Sequence, residues 1–239
     1  MTSAFTRPTQ ATLQNRLLRA VPSEVLDQLW PHLEWMSFAP KTLLLVLNEP
    51  VHHVFFVEIG SVSMIAMLEN GEEIEVGLVG PEGMVGLPVL LGAPTSPIEA
   101  MVQADTAAFR LPASAFRQIM SEHPAVMAPM LRYVDAFLFQ VSQTAVCNGH
   151  HLIEQRLARW ILMTQDRVNT TSFVMTQQFL SYMLGVQRPS VTLVVGTLQK
   201  AGLITHHRGK MEVLDRPGLE AVACECYDVV RRRFAWLTE

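Results

Sequence analysis

Apolar positions change period three times along this chain. Between residues 10 and 34, Leu13, Leu17 and Leu18, then Val25, Leu26, Leu29 and Leu33, recur at helical spacing around a restart at Pro22-Ser23. From about Trp35 to Leu111 the period falls to two: Phe55, Val57, Ile59, then Val62, Met64, Ala66, Leu68, then Ile74, Val76, Leu78. Turn signals at Gly60-Ser61, Asn70-Gly71 and Gly80-Pro81 cut these runs, and Glu69-Asn70-Gly71-Glu72 predicts a tight hairpin. Short alternating strands at close intervals predict a β-barrel or roll. Helical spacing returns in Pro112–Glu122, through Ala115, Phe116 and Ile119, and in a longer segment past His123-Pro124. There Met127, Leu131, Val134, Leu138, Val141 and Ala145 step by four and three, the pattern of a pairing seam. Such a helix could also pack on its own barrel, as Phe137 and Phe139 would. Asn148-Gly149 breaks the pattern and predicts a boundary, dividing the chain into 1–122, 123–148 and 149–239.

The last part reads as helix, turn, helix and hairpin. His151–Arg167 supplies a supporting helix that packs Leu157, Ile161 and Leu162. Gln177–Leu184 is a short helix, Gly185 a residue able to take positive φ, and Arg188 to about Lys200 a second helix. In it Val191, Val194, Val195 and Leu198 form an apolar face, and Pro189 fits the first turn, where its missing N–H costs nothing. Ala201-Gly202 ends it. Leu203-Ile204-Thr205 and Met211–Leu214 predict two strands closing on Arg208-Gly209-Lys210, and Gly218–Trp236 a closing helix. That is the layout of a winged helix-turn-helix.

With 239 residues, 49% of them hydrophobic, the chain can bury a full core. No apolar run reaches the length of a membrane span, and the first residues lack the apolar core of an export signal, so a cytoplasmic protein is expected. Cys147, Cys224 and Cys226 form no disulfide framework and suit a reducing compartment. The net charge of −4 conceals an asymmetry. Residues 1–148 carry 7 basic and 14 acidic side chains; residues 149–239 carry 11 and 8. A positive C-terminal part is what a polyanion partner needs, although Arg231-Arg232-Arg233 could equally be a solvated helix face.

The order β-roll, pairing helix, winged helix-turn-helix resembles the CRP/FNR family of bacterial transcription regulators. The resemblance is carried by Asn15-Arg16-Leu17-Leu18, Leu33-Glu34, Val54 through Val62, Gly83-Met84-Val85-Gly86, Arg156 through Leu162, and Gly185 through Gly202 with Leu203. It implies an α+β chain with a cyclic-nucleotide-binding-like roll, acting as a homodimer on double-stranded DNA with a two-fold symmetric operator. It implies no catalytic residue. RNA polymerase would be a further partner of an activator, but no stretch identifies the touching patch.

The departures narrow the ligand. Members that bind cyclic nucleotides hold ribose and phosphate with a Gly-Glu pair and a nearby Arg. Here Leu87 follows Gly86, and Thr95–Ala100 contains Glu99 but no arginine. A buried phosphate without a cation is costly, so cyclic AMP is not expected. An effector, if the roll takes one, would meet an apolar pocket at Gly86, Leu87, Val89, Leu90, Ile98 and Met101, residues that could equally be core. Iron–sulfur members carry an N-terminal cysteine cluster that is absent here. His52-His53 point to opposite faces of a strand and make a poor metal pair. No cofactor or metal is assigned.

In this family the second helix of the motif lies in the major groove, its first residues at base edges. The expected readers are Arg188, matched to guanine O6 and N7, with Ser190 and Thr192, and Leu193 against a thymine methyl. Gln177, Lys200, Arg208 and Lys210 complete the DNA-binding set, the wing tip straddling the backbone. Many relatives place Glu and Arg where this chain has Pro189 and Leu193, which puts the family's usual operator in doubt. Those two residues also motivate an alternative: a sensory or scaffold protein whose helix-turn-helix no longer reads DNA. An enzyme on a cupin-like barrel would need a spaced third histidine in the roll, which is missing.

Overall fold

A computed structural model of the protein describes residues 8–168 and 170–235. Its elements run α1 (Arg16–Ala20), α2 (Ser23–Leu29), β1 (Glu34–Phe38), β2 (Leu43–Leu45), β3 (His53–Ile59), β4 (Val62–Met67), β5 (Glu73–Val79), β6 (Met84–Val85), α3 (Leu87–Leu90), β7 (Glu99–Val102), β8 (Thr106–Pro112) and α4 (Ala113–Glu122). They continue with α5 (Met127–His150), α6 (Ile153–Val168), β9 (Ser172–Val174), α7 (Gln177–Leu184), α8 (Arg188–Lys200), β10 (Ile204–His207), β11 (Lys210–Val213), α9 (Arg216–Val222) and α10 (Cys226–Ala235). Of the described residues, two compact units result: residues 8–62, 79–135 and 234–235, and residues 63–78, 136–168 and 170–233. The sequence boundary at 148/149 therefore falls inside the second unit.

The first unit is built on an antiparallel sheet of order β1-β8-β3-β6. Phe56 pairs with Phe109, and Trp35 with Phe109 from the other side. Phe109 is 1% exposed and receives Trp30 and Trp35 edge-on at 5.4 and 5.1 Å. β2 pairs separately with β7, Leu43 opposite Met101. Asn15 explains the start of α1. Its Oδ1 accepts the Leu18 N–H, while its amide donates to the carbonyls of Val57 and Gly83 at 2.9 and 2.7 Å. Glu58 accepts the N–H groups of Gln14 and Asn15. Burial raises its pKa, and these two donors oppose the shift.

The second unit contains the β4–β5 hairpin, whose turn forms as its sequence predicts: Gly71 has φ +83°, and Leu68 N–H donates to Glu72 O at 2.9 Å. Leu157, Ala158, Ile161 and Leu162 of α6 are fully buried. The structure departs from sequence expectation in three places. The helix α5 does not stop at Asn148-Gly149 but runs through to His150, because one glycine costs only about 1 kcal/mol in a helix. The closing helix is two. α9 starts on the Asp215 side chain, which accepts the Gly218 N–H, and the chain turns extended at Ala223 before α10; Trp236 lies outside the described residues. A third wing strand, β9, pairs with β11; at three residues it is too short to show a period. Arg216 fastens these pieces, donating to Asp166 (2.6 Å), Gln165 (2.9 Å), Glu220 (2.9 Å) and the Tyr227 hydroxyl (2.6 Å).

Candidate nucleic-acid interface

The helix pair α7–α8 has the bounds read from the sequence. Thr176 caps α7, its Oγ1 accepting the Phe179 N–H at 3.1 Å. Gly185 ends it at φ +59°, a left-handed conformation that favours glycine; a Cβ there would stand 2.7 Å from Ile74 Cδ1, the movable end of that side chain. The Arg156 guanidinium donates to the Leu184 carbonyl and holds the last turn in place. Pro189 occupies the first turn of α8.

In α8, Val191, Val195 and Leu198 are buried at 0%, 1% and 0% exposure, while Val194 is half-buried. This anchors one face and turns Arg188, Pro189, Thr192, Leu193 and Lys200 to solvent; Ser190 is half-buried. Leu193 is 72% exposed, an isolated leucine in the middle of the outer face. Two of the expected residues meet directly: Thr192 Oγ1 donates to Gln177 Oε1 at 2.7 Å. With its carbonyl thus engaged, Gln177 has its amide NH2 to offer as a donor. Arg188 and Pro189 also form one wall of a cleft of about 760 Å³, whose opposite wall is the β4–β5 turn with Glu72 and Glu73.

The wing is a three-stranded sheet of order β10-β11-β9. His207 pairs with Lys210 across Arg208-Gly209, both with positive φ (+51° and +76°), as a two-residue hairpin of right-handed twist requires. Gly209 O accepts the Met175 N–H at 2.6 Å. Arg208 and Lys210 are exposed at the tip. The structure thus gathers the expected DNA-binding residues on α7, α8 and the wing tip.

Beneath them lies a carboxyl that sequence reading passes over. Glu75 in β5 is buried and accepts the Trp160 Nε1–H at 2.9 Å. Desolvation drives its pKa up to about 7, against hydrogen bonds and the cations of Arg159 and Arg167. The sequence gives no signal for it, because Glu75 falls with Glu73 on the face opposite Ile74, Val76 and Leu78, where a solvent-facing carboxylate is expected. The three cysteines, left unassigned, also come together with His151.

Along the expected seam, Leu131 and Leu138 are 50% and 59% exposed and Ala145 is exposed; Met127 and Val141 are half-buried, and Val134 is buried against its own chain. Of the expected effector pocket, Gly86 and Val89 are buried, and Leu87, Leu90, Ile98 and Met101 half-buried. Gly86 has φ +112°, and a Cβ there would meet Val54 Cγ1 at 2.8 Å, so this glycine serves backbone packing. A cleft of about 450 Å³ in the same unit is lined elsewhere, by Leu44–Val46, Glu49–His53 and Phe55.

Residues 35–123 match the family model of the cyclic nucleotide-binding domain, and residues 155–222 that of the Crp-like helix-turn-helix domain. The chain belongs to the CRP/FNR family. Among curated relatives of this CRP/FNR chain is the global nitrogen regulator of Synechocystis sp., 23% identical over 214 residues, covering 85% of this chain and 94% of that one. Another is the HTH-type transcriptional regulator Cmr of Mycobacterium tuberculosis, 24% identical over 192 residues, covering 80% and 77%. Among solved structures, FixK2 from Bradyrhizobium japonicum superposes with a TM-score of 0.68 at 16% identity, covering 80% of this chain and 98% of that one. A CRP-family transcriptional regulator from Thermus thermophilus gives 0.66 at 20% identity, covering 79% and 96%. The family consists of DNA-binding transcription regulators, and this chain is one by its helix-turn-helix. Among the described residues no helix is long and apolar enough to cross a membrane.

Proposed function

We propose that this CRP/FNR member is a sequence-specific regulator that binds a two-fold symmetric operator as a homodimer in the cytoplasm. The observation that carries the reading is the division of α8 into a buried Val191–Val195–Leu198 face and an outer face bearing Arg188, Thr192 and Leu193. Arg188 reads guanine, Ser190 and Thr192 bond base edges or the nearest phosphates, and Leu193 meets a thymine methyl. Gln177, Lys200, Arg208 and Lys210 hold the sugar–phosphate backbone. Two copies pair along α5, where Leu131 and Leu138 leave apolar surface uncovered. The roll, where Leu87 follows Gly86 and Thr95–Ala100 holds no arginine for a cyclic phosphate, supports the dimer or takes an apolar effector at Leu87, Ile98 and Met101.

Selection from a random duplex library, followed by anisotropy on the enriched site across a salt series, tests this. A palindromic motif whose affinity falls steeply with salt is the expected outcome. Arg188→Ala should cost roughly 1–3 kcal/mol of discrimination at one base pair. Pro189 and the exposed Leu193 favour one competing reading, a sensory or scaffold protein that no longer reads DNA; a library that returns no motif would mean that either an effector is missing or the helix-turn-helix no longer reads DNA.

A further inference from the structure

We propose that Cys147, His151, Cys224 and Cys226 form a tetrahedral Cys3His site for a single zinc ion, within the unit that carries the helix-turn-helix. The inference is independent of the DNA reading above.

Local geometry pairs the ligands first. Cys147 and His151 are four residues apart at the end of α5, where the His151 N–H still donates to the Cys147 carbonyl at 3.0 Å, so both side chains leave one helical face. Cys224 and Cys226 flank the exposed Glu225 where the chain enters α10. Folding then closes a separation of 77 residues: Cys147 Sγ stands 3.5 Å from Cys224 Sγ. Cys226 Sγ stands 3.5 Å from His151 Nδ1, and all four ligand atoms lie within 4.8 Å of one another. With Zn–S of about 2.3 Å and Zn–N of about 2.0–2.1 Å, the edges of a tetrahedral shell are about 3.5–3.8 Å. Two edges already have that length, and the others close by small side-chain rotations.

The surroundings are those of a metal site. Cys147, Cys224 and Cys226 are 0%, 4% and 0% exposed, and His151 is half-buried, so the shell would be closed to solvent. His151 Nε2, the ring nitrogen turned away from the thiols, lies 3.4 Å from the Glu225 carboxylate. That contact fixes the proton on Nε2 and leaves the Nδ1 lone pair for a metal, the carboxylate–histidine–metal arrangement. Gln143 Nε2 donates to Cys226 Sγ at 3.1 Å, a bond that strengthens when the sulfur is a thiolate.

The donor set selects the ion. Three thiolates and an imidazole are soft ligands suited to zinc and ill-suited to magnesium or calcium. An iron–sulfur cluster interposes several irons between its ligand sulfurs and would hold them farther apart than these stand. On binding, three thiol protons are released and the site carries one net negative charge, opposite the Arg159 cation that acts on Cys147. The bound ion would tie the end of α5 to the start of α10.

The test uses the full chain, purified under reducing conditions without chelators or an affinity tag. Elemental analysis should find about one zinc per chain. Cobalt(II) added to chelated protein should give the intense visible absorption of a tetrahedral ion together with thiolate-to-cobalt charge transfer. The variants Cys224→Ser and Cys226→Ser should lose the metal. Because a serine variant can fail by unfolding, the sharper test is on groups outside the ligand set. Glu225→Ala and Gln143→Ala should keep one zinc and weaken its affinity about 10–100-fold in chelator competition. Four results would overturn the proposal: folded wild-type protein that retains no added zinc, an octahedral cobalt spectrum, thiols equally reactive with and without zinc, or a Cys147–Cys224 disulfide in protein prepared without oxygen.

Discussion

The recognition helix and the buried polar sites of the same unit are built by opposite means. α8 follows from thirteen consecutive residues, whose spacing alone sorts Val191, Val195 and Leu198 from Thr192 and Leu193. The thiol–imidazole corner joins residues 77 apart, and the Glu75–Trp160 hydrogen bond joins residues 85 apart. A periodic face is information the chain carries locally. A convergent polar site exists only once the fold has closed, and its members look unremarkable where they stand in sequence.

The comparison breaks most sharply within α8 itself. Leu198→Ala opens a cavity in a fully buried position and should destabilise the protein by about 2–5 kcal/mol in urea unfolding. Leu193→Ala, five residues earlier on the outer face, should stay within about 0.5 kcal/mol of wild type while changing the preferred DNA site. Equal losses of stability at the two positions would mean that the face assignment is wrong.

Glu75 gives the next largest effect. Its folded pKa of about 7 lies above the ordinary value of 4.5, so the folded state holds this proton more tightly than the unfolded chain does. The associated stability is fully present below pH 4.5 and is lost as pH rises through about 7, an amount of roughly 3 kcal/mol. Urea midpoints measured at roughly pH 5 and pH 8 should differ accordingly, and Glu75→Gln should flatten the difference. A pH-independent midpoint in the wild type would show that Glu75 titrates normally.

The smallest effect belongs to the local side of the comparison. Thr176→Ala removes the cap of α7 and should cost about 1 kcal/mol, whereas Thr176→Ser should restore most of it. No difference between the two variants would remove the cap from the account of why α7 begins where it does.

Legibility tracks the same division. The bounds of α7 and α8, the Asn70-Gly71 hairpin and the restart at Ser23 were all visible in the sequence, because caps, glycine turns and hydrophobic period act over a few residues. Other features were not. Asn148-Gly149 reads as a stop, yet α5 absorbs it. Gly218–Trp236 reads as one helix because nothing in its period marks the extended turn at Ala223. The cysteines make neither a disulfide framework nor an N-terminal cluster in sequence. Their available signals were a Cys and a His four apart at a helix end and the Cys224-x-Cys226 pair, weak separately and meaningful only when a contact joins them.

The indole of Trp160 gives one of these hidden sites an optical readout. Its N–H points at the carboxyl of Glu75, so the excited-state dipole of the ring faces either a neutral acid or an anion, according to pH. Protonation at the centre of the unit should therefore shift the emission colour of this tryptophan, and the protein carries its own fluorescent indicator of whether that interior proton is in place.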